Sequence, residues 1–441
     1  MDQTFGFACW DCGHAMDWDG HSPKEACPAC GGNVLTVTYP GLTADRLRRI
    51  IEDDTGVEGL WRYFEVLPLQ DRANIVSRGE GAVPIERWSF LEEFARSTVG
   101  LEVMVWVHRH DSNPGTGSFK DLAGSLVSSA MKERGVGEYV VSSTGNTATA
   151  YSCYLAAAGC TLYAFIPRFA PPFKVADIAA FGQHVYQIDG DYPTARAFAG
   201  SFATEHGLAM AGGTFDPFRI EAKRTMAFEW YRHCEVFPTV YIQALSGGTG
   251  PLGTDRGARE LRAYGLIEEV PRLLLCQTSR CAPMASSWRK AREAGFPEGW
   301  HETFDTIDDP ETEVPTLAEG HPAAYPRLAA LVRDSGGEIF DFPEELTPAV
   351  GRLIAYETGI RIGSAGAVSL GGFFAALRGG WLREGDSILL TTGEGIQRDP
   401  DFLPKMSGAV RHADAPENVS RQDRISLREE IYDPLRTYTR G

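Results

Sequence analysis

The chain has 441 residues, which is enough for about three domains. Hydrophobic residues make up 43% and charged residues 23%, which is too polar for a membrane protein, and no apolar run reaches the roughly 18 residues of a membrane span. The formal net charge of −17 argues against DNA or RNA as a partner, because a polyanion would be repelled.

The first predicted element is a metal-binding ribbon. Cys9 and Cys12 form one C-x-x-C pair, and Cys27 and Cys30 form a second pair that is followed directly by two glycines. Two such pairs can surround one tetrahedral zinc ion, and four thiolates leave no open position for a substrate, so we expect a structural Zn²⁺. The odd total of nine cysteines and the lack of a secretory signal favour a cytoplasmic location over a disulfide framework.

From about residue 100 to 400, short apolar runs alternate with helical patterns. The predicted strands are continuously apolar, as expected for parallel strands covered on both faces. They are Glu138–Ser143, Thr161–Ile166, His184–Ile188, Thr239–Leu245, Arg272–Gln277 and Asp386–Thr391. Helices are predicted over Asp121–Glu133 and Ala148–Ala158. The pattern predicts an α/β fold with open, mostly parallel sheets, helices on both faces, and ligands at the loops that leave the strands.

The loop Asn113–Asp121 contains the candidate catalytic residue Lys120. Ser118 and Asp121 have the spacing of a capping box, which places Lys120 in the first turn of the following helix. The helix dipole is positive at that end, so it favours a neutral amine and a nearby anion. A lysine that acts as an imine nucleophile must spend time deprotonated. The position therefore suits imine chemistry, although the spacing alone also fits an exposed surface lysine.

Three further loops follow predicted strands. Ser142–Thr147 enters an alanine-rich helix, and its hydroxyl, amide and backbone N–H groups could bind a carboxylate, although Gly-Asn also marks an ordinary turn. Ser246–Pro251 is rich in glycine and could cradle a phosphate, but it lacks the lysine of a nucleotide-binding loop. Thr391–Gly395 lies at the end of the last predicted strand.

Together these loops resemble the threonine synthase branch of the fold-type II pyridoxal-phosphate (PLP) enzymes, the group that also includes tryptophan synthase β and cysteine synthase. The matching segments are Leu60–Tyr63, Gly79–Ile85, Thr116–Asp121, Ser143–Thr147, Asp216–Thr225 and Thr392–Asp399. One residue, Gly115, is inserted before the third segment. Some members of the family also have an N-terminal zinc ribbon, so the resemblance extends from the ribbon to about residue 400.

The resemblance implies a role for each matching residue. Lys120 would hold PLP as a Schiff base and act as general base and acid. Asn146 would bind the phenolic oxygen of the cofactor, and Thr392 would meet its ring nitrogen, where a neutral hydroxyl suits elimination and replacement better than transamination. The other cofactor contacts would come from Phe119, Gly247, Gly248, Thr249 and Gly250, of which the last four would bind the phosphate. The substrate contacts would come from Ser143, Thr144, Thr147, Arg219 and Lys223.

The resemblance also implies a division into domains. A zinc ribbon would span residues 1–40, and a large PLP domain would span residues 41–125 and 236–400. A small domain would span residues 126–235, and a C-terminal extension residues 401–441. The family leads us to expect a homodimer.

The segment Gly213–Arg219 departs from the threonine synthase pattern. Threonine synthases usually have Asn-Ser-x-Asn-Pro-x-Arg here, and the first polar pair helps to hold the phosphate of phosphohomoserine. In this chain Gly213 and Asp216 replace the two asparagines. A carboxylate near a phosphate would repel it unless Arg219, Lys223 or Arg224 compensates. The substrate therefore stays open.

Two reactions fit the motifs, and both require proton transfer by Lys120. Threonine synthase-like chemistry would convert O-phosphohomoserine to threonine and phosphate. A cysteate synthase-type or specialised β-replacement would use O-phosphoserine or a similar substrate. The second reaction stays open because the glycine-rich loop is closer to cysteine and cysteate synthases, and because Glu394 replaces a histidine of the last motif.

A hypothesis of a different class is a catalytically inactive zinc-ribbon scaffold. The intact Lys120, Asn146 and Thr392 argue against it, because an inactive protein has no reason to keep all three. We therefore predict a PLP-dependent lyase that acts on a small, phosphorylated amino acid and binds neither nucleic acid nor membrane.

Overall fold

The structure is a computed structural model of the chain. It describes residues 5–21, 24–143, 145–168, 170–190, 192–408, 412–419 and 424–441. The chain forms two compact units. The first unit consists of Met1–Val83, Asn113–His233 and Gly248–Val270, and the second of Pro84–Ser112, Cys234–Gly247 and Pro271–Gly441.

Strands and helices alternate along much of the described chain. The strands are β1 Gly6–Cys9, β2 Ala15–Met16, β3 Leu35–Thr38, β4 Ile85–Arg87, β5 Met104–His108, β6 Glu138–Ser142, β7 Thr161–Pro167, β8 His184–Ile188, β9 Ala209–Met210, β10 Val240–Ala244, β11 Arg272–Thr278, β12 Glu338–Phe342 and β13 Ser387–Thr391. The α-helices are α1 Ala44–Glu52, α2 Ser89–Val99, α3 Lys120–Glu133, α4 Asn146–Ala158, α5 Pro172–Ala179, α6 Tyr192–His206, α7 Pro217–His233, α8 Thr249–Ala263, α9 Pro283–Glu293, α10 Tyr325–Asp334, α11 Thr347–Thr358, α12 Ser364–Arg378, α13 Phe402–Met406 and α14 Arg424–Arg440.

The first unit contains two sheets. The N-terminal ribbon is an antiparallel sheet in the order β2-β1-β3. The second sheet is parallel, in the order β8-β7-β6-β9, and its strands β6 and β7 pack against α6 through a core that includes Val140, Phe165 and Ala199. The strands β6 and β7 are mostly buried and largely apolar, as expected for parallel strands covered on both faces, whereas the edge strand β8 is largely exposed.

Helix α7 is buried along most of its length and packs directly against α8. Gly253 and Gly257 of α8 make this close approach possible. A Cβ at Gly253 would lie 2.7 Å from the carbonyl oxygen of Ile220, and a Cβ at Gly257 would lie 2.9 Å from Cβ of Ala227. The two glycines therefore fix the position of α7, the helix that contains Arg219 and Lys223.

The second unit is built on a six-stranded sheet in the order β12-β11-β10-β13-β5-β4. All neighbours pair in parallel except β4, which lies antiparallel at the edge. Helix α12 packs on the central strands β10 and β11, and its apolar residues belong to the large core of this unit. Loops that leave the same end of parallel strands collect there, so the end of β13 is a natural place for functional residues.

The predicted α/β fold with open, mostly parallel sheets is confirmed. The six predicted strands agree with β6, β7, β8, β10, β11 and β13 to within one residue at each end. The two predicted helices correspond to α3 and α4, which begin one and two residues earlier. Within the described ranges, every helix is too short or too polar to cross a membrane.

Candidate active site

Lys120 is the first residue of α3, so its predicted place in the first turn is confirmed. The predicted capping box is wrong. The carboxylate of Asp121 accepts hydrogen bonds from the backbone N–H of Thr116, at 2.7 Å, and from its hydroxyl, while Ser118 Oγ accepts from the N–H of Lys120 at 3.3 Å. Burial raises the pKa of Asp121 to about 6, against the opposite effect of the Thr116 hydrogen bonds. Asp121 therefore closes the loop before the helix.

The inserted residue Gly115 lies against a buried tyrosine. A Cβ here would lie 2.5 Å from Tyr154 Oη and 2.7 Å from Asp121 Oδ2, so only glycine fits without a shift of the loop. Tyr154 donates to the carboxylate of Glu80 at 3.0 Å, and the indole N–H of Trp61 donates to the same carboxylate at 3.0 Å. Through Tyr154, which lies against Gly115, these buried hydrogen bonds to Glu80 stabilise the loop that precedes Lys120.

The second loop ends where α4 begins, at Asn146, whose side chain is buried. Gly145 precedes the helix and offers no side chain to cap it, and a helix N-terminus of this kind favours an anion. Ser143 Oγ accepts a hydrogen bond from the N–H of Gly145 at 3.2 Å. Thr144, which is also predicted to contact the substrate, lies outside the described residues.

The third loop leads into α8, which begins at Thr249. Gly248 has φ +89°, a left-handed conformation that favours glycine, and no side chain caps the turn that contains Thr249 and Gly250. The Thr249 hydroxyl donates to the carbonyl oxygen of Thr214 at 3.4 Å. Gly247 ends a segment of the second unit. The start of α8 therefore has the backbone geometry that suits a phosphate.

Two basic side chains of helix α7 reach the predicted site loops of this unit. Arg219 donates to the carbonyl oxygen of Gly213 at 2.6 Å and to the hydroxyl of Thr147 at 3.5 Å. The buried Lys223 donates to the carbonyl oxygen of Phe119. The structure thus brings Arg219 to the α4 loop and Lys223 to the residue that precedes Lys120.

Lys120 and Lys223 share the ring of Phe119. Their ammonium nitrogens lie 4.4 and 4.7 Å from the ring centre. Burial is the main reason that the pKa of Lys223 lies well below its ordinary value, and the positive charges of Lys120 and Arg219 lower it further. Repulsion between the two amines disfavours the state in which both are protonated. The first unit therefore has a place where a neutral amine is favoured.

Asp216 replaces an asparagine of the family pattern and acts here as a helix cap. Its Oδ1 accepts hydrogen bonds from the N–H groups of Phe218, at 2.9 Å, and Arg219, at 3.2 Å, at the start of α7. The helix N-terminus thus compensates the carboxylate. Arg224, one of three residues expected to compensate it, is instead bound to Glu221 at 2.9 Å. Of the three alternatives, Arg224 is thus already paired with another carboxylate.

Thr392 lies in the second unit, directly after β13. Its hydroxyl is within hydrogen-bond distance of the Asp111 carboxylate and lies 3.2 Å from the carbonyl oxygen of His108. Asp111 is held in turn by the guanidinium of Arg109 at 2.7 Å. The sequence singled out Thr392 but did not reveal that its hydroxyl has a charged partner.

Glu394 replaces the histidine of the last motif and lies at the start of α12. Its Oε1 accepts a hydrogen bond from the N–H of Ala365 at 3.2 Å, and the hydroxyl of Thr316 lies 3.4 Å from the same oxygen. A carboxylate is favoured at a helix N-terminus, so packing within the second unit accounts for this replacement.

The four cysteines of the ribbon come together as a possible metal site. Their sulfur atoms all lie within 4.8 Å of one another, and they belong to Cys9, Cys12, Cys27 and Cys30. Tight turns close both pairs, because the N–H groups of Gly13 and Gly31 donate to the carbonyl oxygens of the first cysteine of each pair, at 2.9 and 2.8 Å. The thiols form no disulfide and have the number and spacing of a closed tetrahedral shell.

Sequence reasoning missed several residues that support these sites. Glu80 lies in a segment that matched the family, so its position could have suggested a role. Tyr154, Asp111, Gly253 and Gly257 gave no comparable signal, because their contacts are with residues distant in the sequence.

The comparisons with known proteins agree with this arrangement. Residues 76–393 match the family model described as "Pyridoxal-phosphate dependent enzyme". Threonine synthase from Methanocaldococcus jannaschii is 28% identical over 361 residues, which cover 81% of this chain and 84% of the relative. Cysteate synthase from Methanoculleus marisnigri is 25% identical over 402 residues, which cover 86% and 90%.

Solved structures share the fold. Diaminopropionate ammonia lyase from Escherichia coli aligns with a TM-score of 0.61 at 14% identity, over 75% of this chain and 88% of that chain. Cysteine synthase from Entamoeba histolytica aligns with a TM-score of 0.58 at 16% identity, over 81% and 93%. Since the family model matches most of the chain, the protein belongs to the family of pyridoxal-phosphate dependent enzymes.

Proposed function

We propose that this enzyme is a threonine synthase-like lyase that catalyses replacement or elimination at the β or γ carbon of a small phosphorylated amino acid. The observation that carries the proposal is the position of Lys120 at the start of α3, with the buried amine of Lys223 on the same aromatic ring. An amine that is to bond covalently to a cofactor must be available in its neutral form.

The residues of the first unit fit PLP. The amine of Lys120 would attach the cofactor, and the uncapped first turn of α8, from Gly248 to Gly250, would bind its phosphate. Asn146 would bind its phenolic oxygen from the start of α4. The roles expected for Gly247, at the phosphate, and for Thr392, at the ring nitrogen, stay predictions from the family. When bound, PLP supplies the electron sink for the carbanion chemistry.

The other residues of the unit would bind the substrate and move protons. Ser143 and Thr147 would hold the substrate carboxylate at the N-terminus of α4, with Arg219 as the adjacent positive charge. Lys120 would take the proton from the α carbon and return one at a later step. Lys223, bound to Phe119, would disfavour protonation of both amines at once, so that one of the two stays neutral.

O-phosphohomoserine is our first choice of substrate, with threonine and phosphate as products. The threonine synthases among the curated relatives support this choice, and so does the role of Asp216 as a helix cap, because the α7 N-terminus already compensates its charge. The second candidate is a cysteate synthase-type β-replacement on O-phosphoserine, which the match to a cysteate synthase supports.

Phosphate release from the two substrates, measured side by side with and without sulfite, tests the proposal. We expect phosphate and threonine from O-phosphohomoserine, and fast turnover of O-phosphoserine alone would overturn our first choice. Lys120→Ala should lose the visible absorbance of the covalently bound cofactor. The exposed Lys132 provides a matched control, because Lys132→Ala should keep it. A colourless wild-type protein that takes up no PLP would indicate an inactive scaffold.

We also propose that the four cysteines of the ribbon bind one structural Zn²⁺. Four thiolates within 4.8 Å suit a tetrahedral ion with no open position. Metal analysis of the purified protein should find about one zinc per chain by this reasoning. The homodimer and the division into ribbon, large domain, small domain and C-terminal extension stay predictions from the family.

A further inference from the structure

The N-terminal ribbon contacts the start of α7, the helix that contains Arg219 and Lys223. The ammonium of Lys24 donates to the carbonyl oxygen of Phe215 at 3.0 Å. The rings of Phe7 and Trp18 lie 6.1 and 5.8 Å from the ring of Phe218. The ribbon therefore holds the backbone before α7 with a charged group and its first turn with two aromatic rings.

Lys24 occupies a position that is costly for an ammonium group. Burial lowers its pKa, and the negative charge of Asp216 opposes this effect. Its ammonium also lies 5.4 Å from the ring centre of Trp18. A lysine partly removed from water needs such partners, so these contacts fix the side chain in one place.

The segment held by Lys24 connects two parts of the candidate active site. The carbonyl oxygen of Thr214 accepts a hydrogen bond from the hydroxyl of Thr249 at the start of α8. The carbonyl oxygen of Gly213 accepts one from the guanidinium of Arg219, which also donates to the hydroxyl of Thr147 at the start of α4. A shift of this segment would therefore change the position of Arg219 relative to the N-termini of α4 and α8.

We propose that the ribbon positions the segment Gly213–Arg219, and that Lys24 is the positioning residue through which it acts. The N-terminal ribbon then serves the substrate side of the site in addition to stabilising its own fold. Lys24 donates to Phe215, and the covalent attachment would be made by Lys120 on another helix, so loss of Lys24 should weaken substrate binding and leave the attachment of the cofactor to Lys120 unchanged. The substrate part of this inference rests on the proposed function; the ordering of the segment does not.

Lys24→Met and Lys24→Arg in the cofactor-loaded, full-length protein test the inference, with Lys132→Met as the control. Lys132 also donates to a backbone carbonyl of the first unit, that of Ala73, at 3.1 Å. Amide hydrogen exchange is measured for residues 213–219, for the ribbon strand β1 and for strand β6. In Lys24→Met we expect about tenfold faster exchange in residues 213–219 alone, since a hydrogen bond from a charged group is lost. KM should rise about tenfold with kcat nearly unchanged, while Lys24→Arg should restore most of the protection.

Two results would overturn the inference. Unchanged exchange in residues 213–219 would show that Lys24 does not order the segment. Equal acceleration in β1 and β6 would show that Lys24 only stabilises the unit. The cofactor absorbance and metal content of Lys24→Met should equal those of the wild type. If neither phosphorylated substrate is turned over, the proposed function fails, but the exchange data still decide the inference.

Discussion

Replacing Gly253 by alanine should push α7 and α8 apart and weaken the first unit. Gly253 lies inside α8 and faces α7. An added Cβ would lie 2.7 Å from the carbonyl oxygen of Ile220 and closer still to Cβ of Lys223. Neither atom is the end of a flexible side chain, so rotation cannot relieve the contact and the helices must separate.

The expected magnitude follows from two opposing effects. Alanine stabilises a helix interior by about 1 kcal/mol relative to glycine. Overpacking costs about 1–3 kcal/mol, and the upper end applies here because a backbone oxygen is involved. We therefore expect a net loss of about 2 kcal/mol in the free energy of unfolding. Gly200 in α6 is the matched control, since an added Cβ there meets no atom within 4 Å. Gly200→Ala should show only the gain, about 1 kcal/mol.

Urea denaturation of both variants beside the wild type, followed by circular dichroism, measures the difference. The free energies of unfolding of the two alanine variants should differ from each other by about 3 kcal/mol, with Gly253→Ala below the wild type and Gly200→Ala above it. The KM of Gly253→Ala should also rise, because Lys223 moves with α7. If Gly253→Ala is as stable as Gly200→Ala, the close contact between the two helices does not exist as described.

Three further predictions concern buried or clustered groups. The pKa of Asp121 is raised from 3.8 to about 6 in the native state, which means that the folded protein holds a proton that the unfolded chain releases, so stability should fall by about 2 kcal/mol as pH rises from 4 to 6. Asp121→Asn should lack this component in urea titrations at the two pH values, and an identical pH dependence would contradict it. Glu80→Gln should lower stability by about 2 kcal/mol in the same assay, because one of its donors loses its acceptor; no change would mean that the Glu80 contacts contribute little. A chelator should make the four ribbon thiols reactive toward a thiol reagent while the five other, buried cysteines stay protected, and four reactive thiols before chelation would argue against a bound metal.

Six strands could be predicted because most of them are largely apolar segments of five to seven residues. A strand buried on both faces needs such a run, whatever its neighbours. The edge strands β4 and β9 were not predicted, because three and two residues give no recognisable period. The five-residue strands β5 and β12 were not predicted either, although β5 is apolar and mostly buried. Local pattern therefore located most strands of the two larger sheets, but it did not separate buried strands from exposed ones, since it found β8 and missed β5.

The candidate site was predictable only in part, for the same physical reason. The position of Lys120 follows from local sequence, since a loop of small residues precedes a helix. The partners of the loop around Lys120 could not be predicted from local sequence. Asp121 accepts a hydrogen bond from Thr116 within the loop, and Glu80, whose charge acts on Asp121, belongs to a segment about 40 residues away. The contact of Lys24 with Phe215 spans 191 residues, which no local pattern reveals.

Of the departures from the family pattern at Gly213, Asp216 and Glu394, only Gly213 is left without a structural role that explains it. Asp216 and Glu394 depart from the family pattern, but each caps a helix, so neither departure requires a new substrate. Gly213 differs from them because it removes a polar side chain and has φ +68°. An added Cβ there would meet only Arg196 Nη2, at 3.9 Å, and asparagine tolerates this backbone conformation better than most residues.

Gly213→Asn should therefore fold normally and place an amide beside Arg219. If the enzyme uses O-phosphohomoserine through this segment, its KM for that substrate should fall about tenfold relative to O-phosphoserine, which is the effect of one added hydrogen bond to a charged group. Alanine at the same position provides the control, because it restores a side chain without a donor. Equal changes for both substrates would show that the segment does not distinguish them, and the choice of substrate would then have to come from another part of the site.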